Sequence, residues 1–402
     1  MGVVYDLLHD IEIPKFYKVQ NHLDDTHIED VAQAVRDALQ REGTMDRIKP
    51  GSTVCFPGAS REIANSVIIL RTFGEELRKK GCTPYIIPGM GSHGGATAEG
   101  QRQLLEHYGI TEESTGCQIV SDMKTKKVGV SAEGLDVHLD AFALSCDYIV
   151  PIGRIKPHTD FHGEFESGIM KMLAIGMAKQ HGASSTHSQG FGRMAVNVPS
   201  FGRVCLANCQ IPFGIGLVEN AYHQTYSITA IPNEKIEEEE PALLLKAKSL
   251  MPKVPFEKVN VLIVEQIGKE ISGDGMDPNV VGRDALSREK PFIDRIGVFD
   301  LSKKTGRSFL GVGAADATTR KVLEKGSWEE TLPNAITSLL TEYVRIPAVL
   351  DTDKLCVQMC LRTCPNLGVP LKTVWIKDTL HLGEFYVSTS CKEDLDKSVF
   401  TF

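Results

Sequence analysis

Apolar residues recur at helical spacing in "DVAQAVRDALQREG" (30–43), and a glycine closes the run. "STVCFPG" (52–58) then reads as a strand running into a turn. Helical spacing returns in "REIANSVIILRTFGEELRKKG" (61–81), with basic residues in the last turn and Gly81 after it, as the helix dipole and C-cap favour. "CTPYIIPGMGSHGG" (82–95) predicts a second strand and turn, and "TAEGQRQLLEHYG" (97–109) a helix that Thr97 caps. "DYIVPIG" (147–153) is a further strand. Alternation of this kind predicts an α/β fold with a mainly parallel sheet, whose ligands bind outside the carboxyl ends of the strands.

The pattern changes in "IPNEKIEEEEPALLLKAKSLMPKVPFEKV" (231–259). Glu237 to Glu240 read as a solvated helix start, and prolines at 252 and 255 interrupt the helix beyond it. Strand signals resume in "NVLIVEQIG" (260–268), "RIGVFDLS" (295–302) and "TVWIKDT" (373–379), with a helix over "NAITSLLTEYV" (334–344). The expected organisation is two α/β domains, 1–255 and 256–402, with an active-site cleft between them.

A chain of 402 residues has ample length for two such cores. Its net charge of −8 argues against a nucleic-acid partner but is compatible with a local basic pocket for a small anion. No apolar run is long enough to span a bilayer, and "MGVVYDLLHDIEIP" lacks a basic leader, so a cytoplasmic protein is expected. The ten cysteines include no CxxC pair. Cys205/Cys209 and Cys356/Cys360/Cys364 recur every four residues, which predicts a buried helical stripe of reduced thiols in place of a metal site. The sequence does not determine an oligomeric state.

Four stretches carry candidate chemistry just after predicted strands. In "FPGASREIAN", Ser60 is placed to cap the next helix, and Arg61 then falls at the helix start. The dipole disfavours a cation there, so Arg61 is either an exposed side chain or a grip on an anion bound at the same place. Gly89, Gly91, Gly94 and Gly95 surround His93, and such glycines let backbone N–H groups approach an anion. Their spacing is neither that of a dinucleotide fingerprint nor of a Walker loop. "GRIKPHTDFHGEFESGIMKMLAIG" (153–176) brings Arg154, Lys156, His158, His162, Glu164, Glu166 and, inside an apolar run, Lys171; His181 and His187 come after it. Imidazoles serve as general bases near neutrality or as metal ligands. Lys171 is open to two readings, a side chain snorkelling to solvent or one placed for chemistry. After the first strand of the second domain, Gln266 and Lys269 are candidates to hold a carboxylate.

Taken together these stretches resemble the lactate racemase family, the nickel-pincer-nucleotide racemases and epimerases of 2-hydroxy acids. The resemblance aligns Arg61 with the family's substrate-gripping arginine and His93, in "GSHGG", with its first histidine motif. Pro157–His158 match its proline–histidine pair, and "SGIMK" places Lys171 at its cofactor lysine. His187, sixteen residues later, falls at the nickel-ligating histidine; Gln266 and Lys269 match a Gln-x-x-Lys pair. The implied cofactor is a pyridinium-derived nucleotide, amide-linked to Lys171, that holds nickel through carbon and sulfur, with His187 as the protein's metal ligand in a roughly square-planar site.

The implied reaction is inversion at C2 of a small-molecule 2-hydroxy acid. Hydride removal avoids the dianion that proton removal beside a carboxylate would create, and it passes through a flat 2-oxo acid. His93 and His158 would be the two bases, and Arg61, Gln266 and Lys269 would hold the carboxylate. Three departures from the family pattern stand out. Gly58 occupies the place of an aspartate, the stretch from His158 to Lys171 is longer, and no arginine follows His93. They leave open a larger hydroxy acid, or tightly bound NAD as hydride carrier with its phosphates on Gly89, Gly91, Gly94 and Gly95. An NAD-dependent 2-hydroxy acid dehydrogenase and a non-catalytic nucleotide-binding protein are the alternatives from other classes.

Overall fold

A computed structural model provides the structure of the protein and describes residues 2–59, 61–283, 288, 290–338, 340–365, 368–396 and 399–401. Two compact units result, residues 24–251 and residues 1–23 with 252–402.

In the first unit, Thr53–Ala59, Thr83–Gly89, Gln118–Ile119 and Tyr148–Ile149 form a parallel sheet in the spatial order 118, 83, 53, 148. Successive strand residues point to opposite faces. Val54, Phe56 and Ile86 therefore join Val35, Leu39, Phe73 and Leu77 from the helices Val31–Gln40 and Ser66–Lys79. Cys55, Ile87 and Ile149 join Ile169, Met170, Leu173, Val198 and Phe201 on the other side. Burial on both faces is what the apolar, non-alternating strands require. The predicted strand 147–153 divides at Pro151: Tyr148–Ile149 stays in this sheet, whereas Ile152–Arg154 pairs in parallel with Phe213–Glu219, which in turn pairs antiparallel with Thr225–Pro232.

The second unit holds an eight-stranded sheet. Ala348–Leu350, Ala317–Thr319, Phe292–Leu301, Lys258–Ile267 and Thr373–Ile376 are parallel neighbours in that order. Glu384–Ser388, Phe16–Asn21 and Phe400–Thr401 extend it antiparallel. Residues 1–23, which chain order assigns to the first domain, thus belong to the second unit, because Phe16–Asn21 finds its hydrogen-bond partners in Glu384–Ser388. Pairing between residues so distant in sequence leaves no local signal.

Two helices differ from expectation. The helix expected from residue 61 begins at Ser66, with Asn65 as N-cap in a left-handed conformation (φ 58°). The helix expected over 334–344 runs over Trp328–Ser338, with a 3-10 turn after it at Thr341–Val344. Thr97 does cap its helix, accepting the Gly100 N–H at 3.0 Å. Cys205, Cys356 and Cys360 are buried in apolar clusters. Among the described residues no helix is long and apolar enough to cross a membrane.

Candidate active site

Lys171 ends a short α-helical turn, Ile169–Lys171, which widens into a π-helical turn over Met172–Gly176 and closes with Met177 N–H donating to the Met172 carbonyl at 2.8 Å. Such wide turns recur at functional sites. Glu240 holds the start of this segment. Its carboxylate accepts the Met170 N–H at 3.1 Å, and a Cβ on Gly168 would lie 2.0 Å from Oε1, so only glycine fits there. Glu237 and Glu238 are exposed, as a solvated helix start requires, but Glu240 is buried, 1% exposed. Burial pushes its carboxyl up to about 8, against the opposing pull of the Met170 and Ile169 N–H groups. Lys171 itself is half-buried, with Nζ 5.8 Å from the Phe161 ring centre.

Phe161 also stacks on His158, ring centres 4.3 Å apart. The loop carrying both is stapled by Glu166, whose carboxylate accepts the His158 N–H at 2.7 Å and the Gly163 N–H at 3.2 Å and pairs with Lys248 at 2.6 Å. Burial alone would raise the Glu166 carboxyl, but His162, Lys248 and these N–H groups hold it below its usual range. His158 Nδ1 accepts the Asp160 N–H at 3.0 Å, so the neutral ring carries its proton on Nε2. Burial first, then the charges of Lys171, Lys156 and Arg61, hold the His158 imidazole well below its ordinary range, which keeps it neutral at pH 7.

His187 has the opposite tautomer. Its Nδ1 donates to the Ala183 carbonyl at 2.7 Å, which leaves the lone pair on Nε2. Phe191 lies 5.4 Å from the His187 ring and 6.5 Å from that of His158, centre to centre. Two phenyl rings therefore gather His158, Lys171 and His187 into one cluster. Sequence reasoning missed both phenylalanines, although "HTDFHGEF" and "SQGFGR" set an aromatic beside each histidine.

His93 is exposed on the turn after Thr83–Gly89. That turn docks on the segment beyond Lys171: Gly91 N–H donates to the Gly176 carbonyl at 2.9 Å, and a Cβ on Gly89 would meet Met172 Sδ at 2.7 Å. Gly94 lies against the backbone of Gly100 and Gln101, and Gly95 faces open space. Behind the turn, the fully buried Lys179 donates to the Pro88 carbonyl at 2.8 Å and lies 3.1 Å from Asp140 Oδ2. Gln101, also fully buried, donates to the carbonyls of Gly91 (2.8 Å) and His93 (3.2 Å). Neither Lys179 nor Gln101 stood out in the sequence, because a single lysine or glutamine beside a turn carries no pattern.

Arg61 is exposed and stands ahead of the helix, not at its first turn, so the dipole argument for a bound anion has no geometric basis here. Ser60 lies outside the described residues. Arg61 nevertheless stands close enough to His158 to act on its charge. The segment after it is tied down by Glu219, which accepts the Ala64 N–H at 2.9 Å and pairs with Arg154 at 2.7 Å. Burial would raise the Glu219 carboxyl, but His223, Arg154 and the Ala64 N–H bring it down to about 2. A carboxyl depressed in the fold adds stability above its unfolded value of 4.5 and loses it as the pH falls toward about 2. Glu219→Gln is therefore expected to lower the Tm at pH 7, with the gap from the parent protein closing as the pH approaches 2; a gap that persists undiminished would refute this origin.

Gln266 and Lys269 belong to the other unit. Gln266 sits near the carboxyl end of Lys258–Ile267 and donates to Asp378 Oδ2 at 3.0 Å; Lys269 is exposed on the next turn, its N–H donating to Thr305 Oγ1 at 3.2 Å.

The sequence model of the lactate racemase N-terminal domain matches residues 9–196. The lactate racemase apoprotein from Thermoanaerobacterium thermosaccharolyticum superposes with a TM-score of 0.54 at 16% identity, over 83% of this chain and 84% of that one. A structural-genomics protein from Thermotoga maritima superposes with a TM-score of 0.49 at 12% identity, over 67% of this chain and 70% of that one. No curated protein matches the sequence. Residues 9–196 thus match the lactate racemase N-terminal domain, and along most of its length the chain shares its fold with a lactate racemase.

Proposed function

We propose that the protein is a racemase or epimerase that inverts the C2 centre of a 2-hydroxy acid by reversible hydride transfer through a 2-oxo acid. The observation that carries this reading is the convergence of His158, Lys171 and His187 on Phe161 and Phe191. The residues present fit a nickel-pincer nucleotide. Lys171 offers an amine for the amide link, and the Ala183 carbonyl fixes His187 with Nε2 ready to bind a metal. When bound, the group supplies a hydride acceptor.

The protein's own side chains would do the rest. Arg61 offers a planar fork to the substrate carboxylate. His158, with its proton on Nε2, is a donor to the carbinol oxygen in the form the structure shows. To act as a base at Nε2 it must carry its proton on Nδ1, and Asp160 Oδ2, 3.9 Å from that nitrogen, would accept it. Converting the donor into a base would take release of the Asp160 N–H from Nδ1, exchange of the ring proton through solvent from Nε2 to Nδ1, and a movement of the Asp160 carboxylate to accept it there. His93, on the turn that docks on the segment beyond Lys171, would serve the other direction of turnover. Close packing accounts for Gly89, Gly91 and Gly94, which favours the pincer over NAD phosphates on that turn.

Purified protein from a host that makes the cofactor is expected to carry a mass adduct mapped to Lys171, together with nickel. Lys171→Ala should lose both, and His187→Ala should keep the adduct but lose the metal. With an α-deuterated single enantiomer, the inverted product should retain its deuterium. Free exchange of that deuterium with water during inversion would overturn hydride transfer.

A further inference from the structure

The unit formed by residues 1–23 and 252–402 contains a polar arrangement around Asp378 and His381, two residues to which the family resemblance assigns no role. Lys258–Ile267 and Thr373–Ile376 are parallel neighbours, paired Val264 to Ile376, and this register carries Gln266 to the level of Asp378 just past the strand ends. Asp378 is completely buried, yet four donors converge on its carboxylate. Oδ2 accepts from Gln266 Nε2 at 3.0 Å. Oδ1 accepts the N–H groups of Leu380 and His381, each at 3.0 Å, and His381 Nδ1 at 2.7 Å. The His381 side chain is nevertheless 56% exposed.

The chemistry of the acceptor dictates two orientations. A carboxylate only accepts, so the Gln266 amide must turn its nitrogen to Asp378 and its oxygen away. Likewise the His381 ring must carry a proton on Nδ1, which turns Nε2 outward, where the imidazolium form presents an N–H to an anion. Ser302 sits at the end of the adjacent strand Phe292–Leu301. Among the described residues its Oγ has no hydrogen-bond partner although the residue is only 7% exposed, and it lies against Gly268, 2.2 Å from where a Cβ would stand. Gly268 separates Gln266 from Lys269 by one turn. The carboxyl ends of three adjacent parallel strands thus present an oriented amide, an oriented imidazole and a buried hydroxyl, in the place where open α/β sheets bind ligands.

We propose that His381, oriented by Asp378, is a further carboxylate-binding residue at this strand end, beside Gln266 and Lys269. The proposal rests on the reading that Gln266 and Lys269 hold the substrate carboxylate. Asp378 is then a positioning residue, acting on the ligand through His381 and Gln266. One buried carboxylate fixes both side chains, so the two orientations are set together and no reorganisation is needed when a small carboxylate arrives.

The test is calorimetric titration of the full chain with oxalate, a flat carboxylate that mimics a 2-oxo acid. His381→Leu is expected to weaken binding roughly tenfold to a hundredfold, the usual range for loss of a hydrogen bond to a charged group. His381→Gln, whose amide can still donate, should recover part of that loss. Asp378→Asn should weaken binding and also shift the His381 ring nitrogen resonances, which a merely structural role would leave in place. Oxalate binding by His381→Leu within twofold of the parent, alongside a clear loss in Lys269→Ala, would refute the role of His381 while leaving the proposed function intact. No oxalate binding by the parent protein would remove the site altogether. Binding that depends on His381, in a protein that inverts no 2-hydroxy acid when loaded with cofactor, would instead refute the function and leave the site standing.

Discussion

Replacement of Lys179 by methionine is expected to lower the unfolding free energy by about 3 kcal/mol or more, within the range for removing one partner of a buried ion pair. Lys179 and Asp140 are 0% and 1% exposed, and burial is the main force holding the Lys179 ammonium below its ordinary range, opposed by the attraction of Asp140. The substitution strands the Asp140 carboxylate away from water, although its Oδ1 keeps the N–H groups of Phe142 and Ala143 at 2.8 and 3.0 Å. It also frees the Pro88 carbonyl at the end of the strand that leads to His93. Urea unfolding should show a lower midpoint with an unchanged slope. Amide exchange at Gly91 to His93 should quicken with it, because the turn would then be held by Gln101 and the Gly91–Gly176 bond without the Lys179 tie at Pro88. A shift below about 1 kcal/mol, the size of an ordinary surface change, would show that the pair is dispensable.

The second large effect is expected at Glu240, and its sign is opposite to that at Glu219. A carboxyl whose value rises from 4.5 unfolded to about 8 folded binds its proton more tightly in the native state. Stability contributed by that proton is full below 4.5 and declines as the pH rises toward about 8. Each pH unit in that window changes stability by about 1.4 kcal/mol for one group. Glu240→Gln keeps an acceptor for the Met170 N–H and has no proton to lose, so it should flatten the fall in Tm between pH 5 and 8. The variant should be more stable than the parent at pH 8. Parallel Tm curves for the two proteins would rule out Glu240 as the titrating group. Glu240→Leu, in contrast, leaves the Met170 N–H without its acceptor and should destabilise at every pH, by about 1–3 kcal/mol for an orphaned buried donor.

Both effects originate in residues that the linear pattern passes over. Lys179 follows the apolar run 172–178 but is itself followed by Gln180 and His181, so by residue type it reads as the polar end of that run, and Glu240 closes a run of four acids whose other members behave as a charged helix start should. Arg61 shows the reverse case. Its residue type suggested an anion grip, but the helix starts only at Ser66, so the grip cannot be argued from the dipole and depends on the proximity to His158.

By itself the sequence determined the alternation of strands and helices over residues 30–110, the parallel α/β class, the Thr97 cap, and the order in which His93, His158, Lys171, His187 and the Gln266–Lys269 pair occur. These are matters of local periodicity, turn chemistry and spacing, which neighbouring residues settle among themselves. Tertiary structure alone decided that residues 1–23 complete the sheet of residues 252–402, and that Phe161 and Phe191 join His158, Lys171 and His187. It also decided the ring protons, on Nε2 of His158 and Nδ1 of His187. Each of these depends on a partner brought close by folding: a strand hundreds of residues away, a ring on another loop, a backbone N–H or carbonyl facing an imidazole. Burial and hydrogen bonding are properties of such pairs, so a residue type read alone does not reveal them.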